Sequence, residues 1–309
     1  MTPSPSLLPT LALAGIILTP AIGYSQIAKN ESANSKVKIY LDSIEHGKLT
    51  VQPAVPPDGQ VPMGTVFHLS AHPAPGYRFD AGYYAAPGVF GQMYYESMTP
   101  DFTVTADRDK SIGASFIPVN VWQGFKVMQD VVYAKPGVKP LKYDVYIPDH
   151  AKNLPCLVII HGGGWMANNE DIMRGLAREL VRSGRYVVCS IDYRWIGRGD
   201  GDAKPNTLAD ILNDVYGALA HIQEHATKYG ADATRLAVTG DSAGGHLSAA
   251  AIDLADHIGD GGFGVTPGVY QFKPTYLPAN KSAAQVGQEL TAALKAAAPS
   301  YGVFSPANL

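Results

Sequence analysis

The run Val238-Thr239-Gly240-Asp241-Ser242-Ala243-Gly244-Gly245-His246 constrains this 309-residue chain more than any other feature. It follows the apolar stretch Leu236-Ala237-Val238 and precedes an Ala-rich segment, so it must turn a buried strand into a helix. Gly240 and Gly244 stand two positions on either side of Ser242, where a larger side chain would clash on a tight turn with strained backbone angles. That spacing presents Ser242 as a candidate nucleophile. About eighty residues upstream, His161-Gly162-Gly163-Gly164-Trp165 closes the apolar strand Cys156 to Ile160. Its three glycines leave backbone N–H groups bare, free to donate to charge that develops on an oxygen.

From Val121 onward, buried strands alternate with helical segments. Tyr143 to Pro148, Leu157 to Ile160 and Tyr186 to Ile191 read as strands, and 171–183 and 208–229 as helices, the first with Ile172, Leu176, Leu180 and Val181 on one side. Such alternation predicts an α/β fold: a mainly parallel sheet with helices on both faces, and ligands gathered at the carboxyl ends of its strands. Both the triple-glycine loop and Ser242 fall at such ends. Upstream, Lys48 to Val51, Thr65 to Leu69 and Phe102 to Thr105 alternate with period two between Gly and Pro turns, which predicts a small antiparallel β module. Tyr83, Tyr84, Tyr94 and Tyr95 within it are either core and rim or a sugar-stacking platform.

Residues 7–22 are apolar but interrupted by Pro9 and Pro20, and Gly23-Tyr24-Ser25 offers small residues for cleavage. We read 1–25 as a signal peptide, although Met1 to Ser6 holds no Lys or Arg. The stretch is shorter than the roughly twenty residues a span requires. The expected organisation is thus a leader (1–25), a linker (26–35), a β module (36–118) and an α/β domain (121–309), in a secreted or periplasmic protein with no membrane attachment after cleavage.

A net charge of -3 and the absence of any basic run exclude a nucleic-acid partner. The two cysteines, Cys156 and Cys189, lie in apolar strands and read as offset buried thiols, not as a disulfide framework or a metal site. No cofactor or metal is expected. Asp192 and Asp241 are read as loop-fixing groups, Asp210 and Asp214 as one solvated or ion-paired helix face, and 197–202 as a mobile rim loop. Trp165 and Trp195 follow strand ends and suit either packing or the walls of a pocket.

Together, Tyr143 to Pro148, His161 to Trp165, Asp192-Tyr193-Arg194 and Gly240 to His246 resemble the α/β-hydrolase esterases of the hormone-sensitive-lipase and feruloyl/acetyl-xylan esterase type. The likeness runs from about Val121 to the end of the chain. It implies that Ser242 attacks the acyl carbon of a carboxylic ester and that the N–H groups of Gly163, Gly164 and Ala243 hold the oxyanion. His161, Gly162, Trp165, Gly240, Asp241 and Gly244 would support that geometry. Residues 36–118 are similar to an internalin B-repeat-like module, with Gly47, Gly76-Tyr77-Arg78-Phe79 and Ser111 to Phe116 carrying the likeness.

A serine nucleophile needs a histidine base held by a carboxylate, and in this fold both follow the serine in the chain. Only His246 and His257 do so here. His246 lies one turn into the helix and, by resemblance, is structural; His257 lies farther along, beneath the sheet. The triad acid and histidine are therefore expected beyond Leu309, in a domain whose last two strands are missing and whose parallel sheet is left with an unprotected edge. The expected activity is hydrolysis of small acyl or hydroxycinnamoyl esters, with polysaccharide-linked esters as candidates. The alternatives are a dipeptidyl-peptidase-like amide hydrolase and a noncatalytic surface or carbohydrate-binding protein.

Overall fold

The computed structural model describes residues 35–88, 91–199, 201–259 and 270–304. The expected leader and all but the last residue of the expected linker lie outside the described residues. The first unit is entirely strands: β1 (Lys36–Leu41), β2 (Gly47–Gln52), β3 (Gln60–Pro62), β4 (Val66–Pro73), β5 (Tyr77–Gly88), β6 (Gly91–Ser97), β7 (Asp101–Thr105) and β8 (Lys110–Pro118). The three runs singled out by their alternation form one sheet, β2-β4-β7, and the others form β3-β1-β8-β5-β6. Alternation decides which face is buried: Phe67, Leu69 and Ala71 of β4 point inward while His68 stays exposed. Val37, Ile39, Phe67, Leu69, Val104 and Ile112 share one core. One pair departs from the antiparallel expectation, because β1 and β8 run parallel. A parallel pair needs a long crossover, and strands β2 to β7 supply it.

The second unit comprises β9 (Phe125–Ala134), β10 (Leu141–Pro148), β11 (Leu154–Ile160), α1 (Arg174–Arg182), β12 (Val187–Ile191), α2 (Leu208–His225), β13 (Ala231–Asp241), α3 (Ala243–Asp253), α4 (Ala283–Ala293) and β14 (Leu294–Ser300). Its six strands are ordered β14-β13-β11-β12-β10-β9. The strands from β12 to β14 are parallel, and β10 is antiparallel to both of its neighbours. Val187, Cys189 and Ile191 pack with Ile211, Val215, Leu247 and Leu290 from α2, α3 and α4. The alternate residue Val188 packs with Tyr146, Ile159, Ala177 and Val181 on the α1 side, where Met98 of the β module joins the cluster. Helices therefore cover both faces, as the alternation requires.

Two helices differ from their expected form. α1 starts at Arg174, three residues late, and buries Ala177 and Val181, whereas Leu176 is 40% exposed. α2 gives way at His225 to a 3-10 turn that Gly230 stops in the left-handed region, at φ 74°. Cys156 and Cys189 are buried free thiols with their sulfurs 3.8 Å apart. Among the described residues β14 pairs with β13 alone. It ends in Pro299 and Ser300, both exposed.

Candidate active site

β13 ends at Asp241, α3 begins at Ala243, and Ser242 alone makes the turn with φ 49° and ψ -116°. A non-glycine residue in so sparsely populated a region costs about 1–3 kcal/mol, so its surroundings must enforce it. They do so through close backbone packing, above all at one carbonyl. A Cβ on Gly240 would lie 2.2 Å from Ile160 O, and one on Gly244 would lie 2.0 Å from the same atom. Both glycines are therefore required by close approach to the neighbouring strand β11. Ser242 N donates to Ser300 O at 3.0 Å, and Ser242 O accepts from His246 N at 3.0 Å.

The loop after β11 is strained at more places. Gly163, Gly164, Trp165 and Asn168 have φ of 116°, 60°, 61° and 77°. A Cβ on Gly163 would also fall 2.4 Å from Ala167 O. Gly162 N donates to Asp241 Oδ1 at 2.7 Å, which ties this loop to the serine turn. Ile196 N donates to Trp165 O at 2.8 Å, and Trp195 Nε1 to Asn168 O at 3.0 Å. Among the described residues, the N–H groups of Gly163, Gly164 and Ala243 have no intramolecular acceptor. Ala243 is the first residue of α3, whose N-terminus no side chain caps, so positive dipole character adds to its free donor.

The histidine that opens the loop is a support. His161 is fully buried, its Nδ1–H donates to Gly162 O at 2.7 Å, and its ring stacks on Tyr193 at 4.2 Å. Tyr193 OH returns a bond to His161 O at 2.8 Å. Asp241 accepts from Gly162 and from Tyr301 OH, and Asp192 accepts from Tyr193 N at 2.8 Å and pairs with Lys139 at 3.1 Å. Asp210 completes a capping box with Thr207, and buried Asp214 binds Arg194 through two 2.9 Å contacts. Asp202 accepts from Val138 N and Asn206 Nδ2 and is buried, so that end of the 197–202 loop is pinned where mobility was expected. Asp200 lies outside the described residues.

Among the described residues, neither downstream histidine ring is hydrogen-bonded to the Ser242 hydroxyl. His246 sets its ring edge-on to Trp165 at 5.6 Å, its Nδ1 is buried without a partner, and burial lowers its pKa. His257 lies beyond the far end of α3, an 11-residue helix and hence roughly 16 Å long. In the β module, Tyr84 and Tyr95 stack on each other at 5.1 Å and Tyr83 OH donates to Asp42; the side chain of Tyr94 lies outside the described residues.

Sequence reading missed a buried polar cluster under the glycine loop. Asp144 and Glu170 are 0% and 1% exposed and Asp171 is 8% exposed, with Lys142 Nζ 2.9 Å from Glu170 Oε1. Asp130 N donates to Asp144 Oδ1 at 2.9 Å, and Ser190 Oγ donates to Glu170 O at 2.7 Å. Burial, and then the Asp171 charge, raise the Asp144 pKa to about 8; burial, and then Glu170, raise that of Asp171 to about 7. The signal was present as Lys142 and Asp144, polar residues two apart in a strand whose intervening positions are apolar.

Residues 143–257 match the family model BD-FAE. The chain is similar to the carboxylesterase NlhH of Mycobacterium tuberculosis, at 35% identity over 124 residues, 40% of this chain and 37% of that protein. It is also similar to the carboxylic ester hydrolase LipN of the same organism, at 39% identity over 36% of this chain and 28% of that one. Among solved structures, a Pyrobaculum calidifontis esterase shares 30% identity over 42% of this chain and 40% of its own, with a TM-score of 0.37. The chain thus spans well under half the length of the curated relatives it matches. A serine on a strand-to-helix turn, a glycine loop on the adjacent strand and a sheet whose strands follow the order first, second, fourth, third, fifth, sixth give residues 125–300 the α/β-hydrolase fold.

Proposed function

We propose that the chain carries the nucleophile and oxyanion hole of a secreted serine esterase. The observation that carries this reading is the strained turn at Ser242, tied by one hydrogen bond to a loop with free N–H donors. Ser242 Oγ attacks the acyl carbon of a carboxylic ester while a histidine base takes its proton. Charge then builds on the carbonyl oxygen, which the N–H groups of Gly163, Gly164 and Ala243 stabilise without reorganising; losing one such donor typically costs about a hundred- to thousandfold in rate. The alcohol leaves, and water hydrolyses the acyl-enzyme. Among the described residues no histidine ring is hydrogen-bonded to the Ser242 hydroxyl, and the base and its carboxylate are assigned to none of them. The similarity of 124 residues of the chain to the carboxylesterase NlhH supports the reaction class. Trp165 and Trp195, bracketing the glycine loop, suit a small acyl or hydroxycinnamoyl group, with polysaccharide-linked esters as the natural substrate class. The leader at 1–25 supports export, and the β module is assigned to the B-repeat-like type.

The test is reaction with a fluorophosphonate probe, which should label Ser242 and no other residue, together with hydrolysis of p-nitrophenyl acetate by the full-length gene product. Labelling at another residue refutes the assignment. Turnover of aminoacyl anilides in preference to esters would indicate an amide hydrolase, and polysaccharide pull-down without turnover a binding protein.

A further inference from the structure

The loop from His161 to Met173 begins next to the serine turn and ends at α1, and its far end is gripped by the β module. Asn169 Nδ2 donates to Glu96 O at 3.3 Å, and Met98 N donates to Asp171 Oδ2 at 3.0 Å. Arg174, the first residue of α1, donates through Nε and Nη2 to Asp80 Oδ2 at 3.0 and 2.8 Å and through Nη1 to Glu96. Arg178 Nη1 donates to Asp80 Oδ1 at 2.7 Å. Asp80 is 6% exposed. Burial pushes its carboxyl pKa up, but the Arg174 and Arg178 guanidiniums together outweigh this and hold it below the usual range. A spacer linked flexibly to an enzyme would meet it through exposed, screened charges; here the charges are buried and forked.

We propose that the β module is a positioning element of the active site: the backbone at Glu96 and Met98 holds the loop that carries Gly163 and Gly164 at Asn169 and Asp171, while Asp80 and the Glu96 carboxylate anchor α1, into which that loop runs, through Arg174 and Arg178. This loop cannot hold its four left-handed residues unaided, and its near end is already fixed by Gly162 to Asp241. Fixing the far end removes the remaining freedom. The consequence for catalysis rests on the esterase reading above; the mechanical claim does not.

The experiment is amide hydrogen exchange across the 309-residue chain carrying Asp80→Ala, paired with the rate of fluorophosphonate labelling of the full-length gene product carrying the same substitution. Amides in 162–172 should exchange at least about tenfold faster while β11 and β13 keep their protection. Labelling of Ser242 should slow by about tenfold or more, because small misplacements in such sites carry large rate penalties. Asp80→Glu should restore part of both. Unchanged protection in 162–172, with faster exchange confined to β5 and β6, would overturn the proposal and leave the module a spacer. If Asp80→Ala loses protection throughout, Glu96→Gln, which leaves Arg178 on Asp80, is read by the same two outcomes. A wild-type chain that labels elsewhere sinks the esterase reading alone, since the exchange comparison still decides the clamp.

Discussion

The serine turn and the glycine loop are one hydrogen bond apart, yet they are held by opposite means. Strain at the turn is confined to Ser242, and the strand, the helix and a single carbonyl, Ile160 O, enforce it. The loop spreads its strain over four residues and takes support from the serine turn, from Trp195 and Ile196, and from the β module. On the proposed esterase reading, the nucleophile is written in five consecutive letters, whereas the oxyanion hole is written across the whole chain, because it depends on where several backbone amides come to rest.

The largest effect that sharpens this contrast is on chemistry. Ser242→Ala should abolish probe labelling and lower ester turnover of the full-length product by about a thousandfold or more, with little change in stability. Next, Gly244→Ala should cost about 3 kcal/mol or more in urea denaturation, because its Cβ would sit 2.0 Å from Ile160 O. A loss below about 1 kcal/mol would mean the turn is not enforced from β11. Asp80→Ala, with its loop-specific exchange signature, is third and tests the distributed support directly.

A smaller effect concerns the cluster beneath the loop and depends on pH. Asp144 rises from 3.8 to about 8 on folding, so between those values the folded protein holds more protons than the unfolded chain. Stability must therefore fall as pH rises across that window, and Asp171 adds in the same sense up to about 7. Asn cannot titrate, so the melting-temperature advantage of Asp144→Asn should grow from pH 5 to 8 and then level off; an advantage independent of pH would place the proton elsewhere. Asp80 has the opposite sign: its folded pKa is lowered, so its contribution is present at neutral pH and lost only as pH falls below about 4. The smallest effect is expected of Tyr301→Phe, below about 0.5 kcal/mol, since Tyr301 is 74% exposed and Asp241 keeps its bond from Gly162.

Much of the fold was legible because its signals are local. Alternation in Lys48 to Val51, Thr65 to Leu69 and Phe102 to Thr105 named the strands of one sheet, and unbroken apolar runs named β11 and β12. Leu176 was misplaced because helical spacing alone does not say how far a sheet extends beneath a helix. Asn168, Glu170, Asp171 and Arg174 drew no attention, although they directly follow a motif that did. Met98 and Asp80, the partners of Asp171 and Arg174, lie 73 and 94 residues away, and nothing in the spacing announces such pairs.

The sequence by itself determined the turn at Ser242, the bare amides of Gly163 and Gly164 and the layered α/β architecture, since each follows from the sterics of neighbouring residues or from the period of their hydrophobicity. Only the tertiary structure decided that the β module meets the loop through Glu96 and Met98 and α1 through Asp80, and that Asp144, Glu170 and Asp171 are buried together. Coulomb and desolvation energies depend on distance and burial, and a chain acquires both only when remote segments close on one another.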